Sequence, residues 1–134
     1  MHASARWIAE KVYEGTSQSG HTITMDTSAE HAKGPSPMEL VLTALCGCTS
    51  VDVVSILTKK REPLLGLTVS AEAEQAHEAP AVFTHIHLTY KVSGAVSRKA
   101  AEDAVRLSET KYCSVAQMLT GKVQIEYSIE IEGE

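Results

Sequence analysis

The chain has 134 residues, 43 % apolar and 22 % charged, a balance that suits one packed domain and excludes a wholly disordered chain. Its formal charge of −5, with no basic run longer than Lys59-Lys60-Arg61, leaves no basic stripe for nucleic acid. Met1 to Trp7 lacks the apolar stretch of a signal peptide, and cysteines 46, 48 and 113 are too few for a disulfide-stapled secreted scaffold, so a reduced, cytoplasmic setting is expected.

No repeat, linker or composition shift marks a boundary, so residues 1–134 are read as a single domain. Ala5 to Glu14, with Trp7, Ile8, Val12 and Tyr13, predicts one or two strands. Ser17-Gln18-Ser19-Gly20 is a turn, and His21 to Asp26 alternates as a strand that pairs back as a hairpin. After a polar loop ending at Gly34-Pro35, Ser36-Pro37-Met38-Glu39 starts a helix. Ser36 caps the orphan amides, Pro37 takes the first helical position and Glu39 completes a capping box.

That helix is predicted to run to about Lys60, because Pro63 stops it. Between Leu40 and Leu57 Asp52 is its only charged residue, yet Thr43, Thr49, Ser50, Asp52 and Ser55 make it a poor membrane span. The expectation is therefore a helix buried all round, which so short a chain achieves only with help from a partner subunit.

Leu67 to Gln75 and Phe83 to Val92 predict two further strands, the second with Ile86, Leu88, Tyr90 and Val92 on one face; His77 to Pro80 turns between them. Ser97 to Ser108 is a helix capped by Ser97, and Ser114 to Thr120 a shorter one that stops at Gly121. Val123, Ile125, Tyr127, Ile129 and Ile131 form the dry face of a last strand, as in an antiparallel sheet packed on one side. Strands and helices do not alternate one for one, so the class is α+β.

Cysteines carry the chemistry this composition allows, although two buried cysteines are more often plain core residues. On a helix Cys46 and Cys48 point about 200° apart, so a third cysteine can meet only one of them, and Cys46-Gly47-Cys48 is a poor metal chelate. Cys48 shares its face with Val41, Ala44, Leu45 and Asp52; Cys46 shares its own with Leu42, Val53 and Leu57. His85 and His87 share one side of a strand, a geometry for a metal pair that more often means a solvated surface. Glu126, Glu130 and Glu132 read as a wet face. Lys111 stands two residues before Cys113, where it favours the thiolate or simply points to water.

Gly34-Pro35-Ser36-Pro37-Met38-Glu39-Leu40, with the small-residue helix that reaches Cys46-Gly47-Cys48, resembles the first signature of the OsmC/Ohr superfamily. Lys111-Tyr112-Cys113-Ser114-Val115 resembles its second, and Asp52 to Leu57 and Phe83 to Ile86 are similar to its YhfA-like branch. The resemblance spans essentially the whole chain. It implies an α+β, OsmC-like intertwined homodimer, with antiparallel sheets wrapped around long buried central helices.

By the same resemblance the protein is a thiol peroxidase acting on organic hydroperoxides in oxidative or osmotic stress defence. Cys48 would be peroxidatic and Cys113 resolving, Glu39 would support them, and a dithiol reductant would reopen the disulfide. No cofactor, metal, nucleic acid or membrane enters that scheme. In the peroxidase branches a glutamate stands where this chain has Met38, with Glu39 next along, and an arginine comes from the N-terminal strands; Val12 to Asp26 contains none. The alternative reading is a non-catalytic OsmC-fold protein that binds a small ligand or serves a stress-associated structural role.

Overall fold

The computed structural model describes residues 1–134, which form two compact units, Met1–Thr43 and Ala44–Glu134. In the first, β1 (Ala3–Ala9), β2 (Val12–Ser17) and β3 (Thr22–Asp26) make an antiparallel meander in that order. Gly20 takes φ +85° in the β2–β3 turn, as turn chemistry requires. β1 is exposed along its length and leaves Trp7 and Ile8 uncovered.

The loop after β3 is pinned by its own backbone. Buried Asp26 accepts from the amides of Ser28 and Lys33, and these bonds, with the Ser28 side chain foremost, hold its carboxyl down at about 2. Helix α1 (Pro37–Lys59) then opens with the reciprocal pair the sequence predicts. The Glu39 amide donates to Ser36 Oγ, and the Ser36 amide donates to Glu39 Oε1. His31 Nε2 lies 3.8 Å from the same carboxylate.

In the second unit β4 (Leu64–Gln75) and β5 (Phe83–Gly94) form a long antiparallel pair. Phe83, Ile86, Leu88, Tyr90 and Val92 of β5 are buried, following the predicted alternation. The chain leaves β5 through α2 (Arg98–Leu107), a π-helical turn (Ser108–Tyr112) and α3 (Ser114–Leu119), and returns as β6 (Gln124–Ile131). Ser97 caps α2 by accepting from the Ala100 amide, and Arg98 ties the crossover to β6 by donating to the Ile129 carbonyl.

Two expectations need correction. β6 pairs with β5 in parallel, His85 opposite Gln124 through to Val92 opposite Ile131, so the sheet is mixed and not antiparallel. The reason is the helical crossover, which carries the chain back past the length of β5 before it re-enters the sheet. Likewise, α1 is not buried all round within the chain. Only the stripe Leu45, Thr49, Val53 and Leu57 is buried, while Val51 is 70 % exposed and Val54 41 %. The helix is long and apolar enough to cross a membrane by length and composition alone. Within this unit its buried stripe instead meets β5 and the π-helical turn, through Thr49.

Gly94 closes β5 at φ +110°, where a Cβ would run into the Pro63 carbonyl that leads into β4. Both the backbone conformation and the space exclude a side chain, so Gly94→Ala is expected to cost about 2 kcal/mol or more, measured as a lowered urea midpoint with the slope unchanged.

Candidate functional site

Asp52 and Cys48 lie one turn apart on α1, and Cys113 lies at the join between the π-helical turn and α3. The fold brings the two cysteines together, near enough that the Cys48 thiol acts on the acidity of the Cys113 thiol. Cys113 is fully buried, Cys48 is half-buried, and all three cysteines are free thiols. Cys113 caps α3, its Sγ accepting from the Ala116 amide at 3.4 Å.

The electrostatics at Cys113 oppose one another. Burial pushes its thiol up, and the neighbouring Cys48 thiol and Asp52 carboxylate push the same way; only the Ala116 amide favours the thiolate. Burial wins, because one amide at the start of a six-residue helix does not replace the water the thiolate would lose. Lys111 gives Cys113 no direct help, since its ammonium lies over the Tyr112 ring, 5.3 Å from the centroid. Cys46 stands apart on α1, its thiol also raised by burial. Glu39 is engaged in the α1 capping box, and its carboxyl is lowered chiefly by the Ser36 amide.

Beside the thiols runs a chain of polar groups that no motif announces. Ser108 Oγ donates to Asp52 Oδ2 at 2.9 Å and lies 2.8 Å from Thr49 Oγ1; Thr49 Oγ1 lies 2.7 Å from Tyr90 Oη, and Tyr90 Oη lies 3.3 Å from Glu109 Oε1. Tyr90, Thr49 and Ser108 are each 0 % exposed. The one signal in the sequence is Tyr90 itself, a hydroxyl on the dry face of a strand that must find a partner inside. Glu109 is half-buried, and desolvation raises its carboxyl from 4.5 to about 7, against the Tyr90 hydrogen bond that lowers it. Burial also pushes the Tyr90 phenol well up, so it stays protonated.

His85 and His87 share a sheet face, where the first lies 3.3 Å from Glu126 and the second bonds Ser128 at 2.9 Å. No group of three or more His, Cys, Asp or Glu side chains is arranged to hold a metal ion.

The match to the family model described as OsmC-like protein covers residues 30–128, and the chain belongs to that family. Among its relatives, Protein YhfA of Escherichia coli K12 is 46 % identical over 132 residues, covering 98 % of each chain. A hypothetical protein of Aquifex aeolicus is 30 % identical, with a TM-score of 0.83 over 98 % of this chain and 96 % of its own. The fold extends to an organic hydroperoxide resistance protein OsmC of Legionella pneumophila, at 13 % identity and a TM-score of 0.76 over 97 % of each chain.

The raised Glu109 carboxyl has a consequence for stability. Between about 4.5 and about 7 the folded chain keeps a proton that the unfolded chain has released, so this group's contribution is present below that window and is lost as pH rises through it. Unfolding free energy is expected to fall across the window, and to fall less in Glu109→Gln, as read from urea titrations at several pH values. Asp52→Asn removes a charge that disfavours the Cys113 thiolate, and should raise the alkylation rate of Cys113 at mildly alkaline pH.

Proposed function

We propose that this protein is a thiol-dependent redox protein of stress defence, reducing organic hydroperoxides with Cys48 as the peroxidatic and Cys113 as the resolving cysteine. The observation that carries this reading is the nearness of two thiols drawn from distant parts of the chain, close enough for one to act on the acidity of the other. The role described for the Legionella pneumophila relative supports it.

The chemistry is a two-electron exchange. The Cys48 thiolate attacks the peroxide O–O bond, sulfur becomes a sulfenic acid and the alkoxide takes a proton to leave as alcohol. Cys113 sulfur then attacks the sulfenic sulfur, the S–O bond breaks, hydroxide leaves as water and a disulfide remains. A dithiol reductant restores both thiols. The apolar surface of α1 near Cys48 favours an alkyl hydroperoxide over hydrogen peroxide, and no cofactor or metal is needed. Glu39 supports the site only by fixing the start of α1.

On this reading the whole chain acts as one OsmC-like domain in a cytoplasmic homodimer, with no nucleic-acid or membrane partner. Exposed Trp7, Ile8 and Ile23 on the first unit, and Val51, Val54 and Leu65 on the second, are the apolar side chains a second copy would cover. A second reading, a non-catalytic ligand-binding protein, is favoured by one observation: the surroundings of Cys113 hold it as a thiol and offer it no paired cation.

Reduced protein mixed anaerobically with one equivalent of an alkyl hydroperoxide decides between them. Peptide mass spectrometry should find a Cys48–Cys113 disulfide within seconds, a sulfenic acid trapped at Cys48 in Cys113→Ser, and no product in Cys48→Ser. Thiols that stay free after prolonged exposure would establish the binding reading instead.

A further inference from the structure

The polar chain beside the thiols poses a counting problem. It has four contacts, Asp52–Ser108, Ser108–Thr49, Thr49–Tyr90 and Tyr90–Glu109, and its three hydroxyls supply three protons. With both carboxylates ionised, Ser108 donates to Asp52 and Tyr90 to Glu109. Thr49 then has one proton for two contacts of 2.7 and 2.8 Å, and one buried oxygen pair must face lone pair to lone pair.

A fourth proton removes the conflict, and it can sit at either end. Held by Glu109, it makes every bond run one way: Glu109 to Tyr90, Tyr90 to Thr49, Thr49 to Ser108, Ser108 to Asp52. Held by Asp52, it makes the same four bonds run in reverse. Both arrangements satisfy every contact, and they interconvert when each of the four protons hops along its own hydrogen bond to the next oxygen, with no heavy atom moved.

We propose that Glu109, Tyr90, Thr49, Ser108 and Asp52 form a proton relay that holds one shared proton and carries it between the protein surface and the carboxylate beside the Cys48–Cys113 pair. Its two ends differ in the way a relay needs. Asp52 acts on Cys113, and Cys48 lies one helical turn before it. Glu109 is half-buried and lines a surface depression with Thr110, Gln117 and Thr120.

The groups facing Glu109 leave the proton free to move. β5 presents Tyr90, α3 presents the uncharged Gln117, which donates to the Glu109 carbonyl, and β6 with its approach presents Ile125 and Val123. On its own element Lys111 is taken up by the Tyr112 ring, and no Lys or Arg pairs with Glu109. The groups facing Asp52 are Ser108 and the thiol of Cys113. Burial keeps Glu109 protonated up to about neutral pH, which sets the resting state with the proton at the surface end.

The use of the relay rests on the thiol redox reading. When Cys113 attacks the Cys48 sulfenic sulfur, its proton passes to Asp52, the three hydroxyls reverse and Glu109 releases its own proton to solvent. The S–S bond forms as the S–O bond breaks, and the departing hydroxide takes a proton from solvent, so protons and electrons balance. The relay also removes the Asp52 charge at the moment the thiolate forms. Tyr90, Thr49, Ser108 and Glu109 are thus positioning residues that act through Asp52.

Two measurements on the full chain test this without peroxide. Infrared difference spectra should show a protonated carboxyl band that disappears as pH rises through about 7, absent from Glu109→Gln. Cys113 alkylation, followed by peptide mass spectrometry, should show a several-fold inflection at the same pH in the wild type. That inflection should vanish in Glu109→Gln, whose amide donates to Tyr90 but does not titrate, and in Tyr90→Phe, which cuts the chain. Should Tyr90→Phe not fold, the half-buried and isosteric Glu109→Gln carries the test. No carboxyl band, or an inflection unchanged in Glu109→Gln, overturns the relay. A chain inert to hydroperoxides with both signals intact would sink the peroxidase reading alone, and brisk disulfide formation with neither signal would sink the relay alone.

Discussion

Thr49 is the one polar residue in the buried stripe of α1, and its hydroxyl lies within 2.8 Å of both Tyr90 and Ser108. A hydroxyl in that position cannot be solvated, so it has to be bonded, and bonding fixes the helix against β5 on one side and against the π-helical turn on the other. Leu45, Val53 and Leu57 supply the area that makes the helix dock, but apolar contact has little direction and would tolerate a rotation or a slide. Thr49 does not. Its bonds set the angle of α1 about its own axis, and that angle decides that Cys48, not Cys46, reaches Cys113.

The same geometry explains why the site is dry and negative instead of dry and positive. A thiolate needs a cation, a helix N-terminus or water. Cys48 stands about three turns into α1, past the reach of the terminal partial charge, and the acidic group nearest along its face is Asp52. On the proposed redox reading, chemistry at this pair depends on moving protons more than on storing a thiolate. The polar chain is suited to that, because its unbroken run of hydrogen bonds from Asp52 to Glu109 needs no packed side chain to move.

Much of this was legible in the sequence where local rules act alone. The capping box at Ser36 and Glu39, the turn glycine at 20, the cap at Ser97 and the alternation in β5 each follow from a few neighbouring residues, and the structure has them where those residues place them. The pairing of β6 was not legible, because an alternation of period two is the same whether the neighbour runs parallel or antiparallel. The burial of α1 was misjudged for a related reason. Its apolar residues surround the axis, so the pattern carries no direction, and only the partners of Thr49 show which stripe is inside. The cysteine pair came from motif resemblance. The polar chain did not, because its members come from α1, β5 and the π-helical turn and share no spacing along the chain.

The parallel crossover also ties the chemistry to the completeness of folding. β4 and β5 can zip as neighbours across a short turn, but Ser108, Glu109 and Cys113 all ride on the segment between β5 and β6. Until that segment has closed over the sheet, a loop closure of long sequence separation, the chain holds ordinary solvated thiols and two unrelated carboxylates. The cysteine pair, the suppressed acidity of Cys113 and the run of polar contacts come into being in one docking event. A nascent or partly unfolded chain therefore exposes Cys113 to any oxidant, whereas the finished fold buries it and leaves Cys48 and Cys46 half-buried.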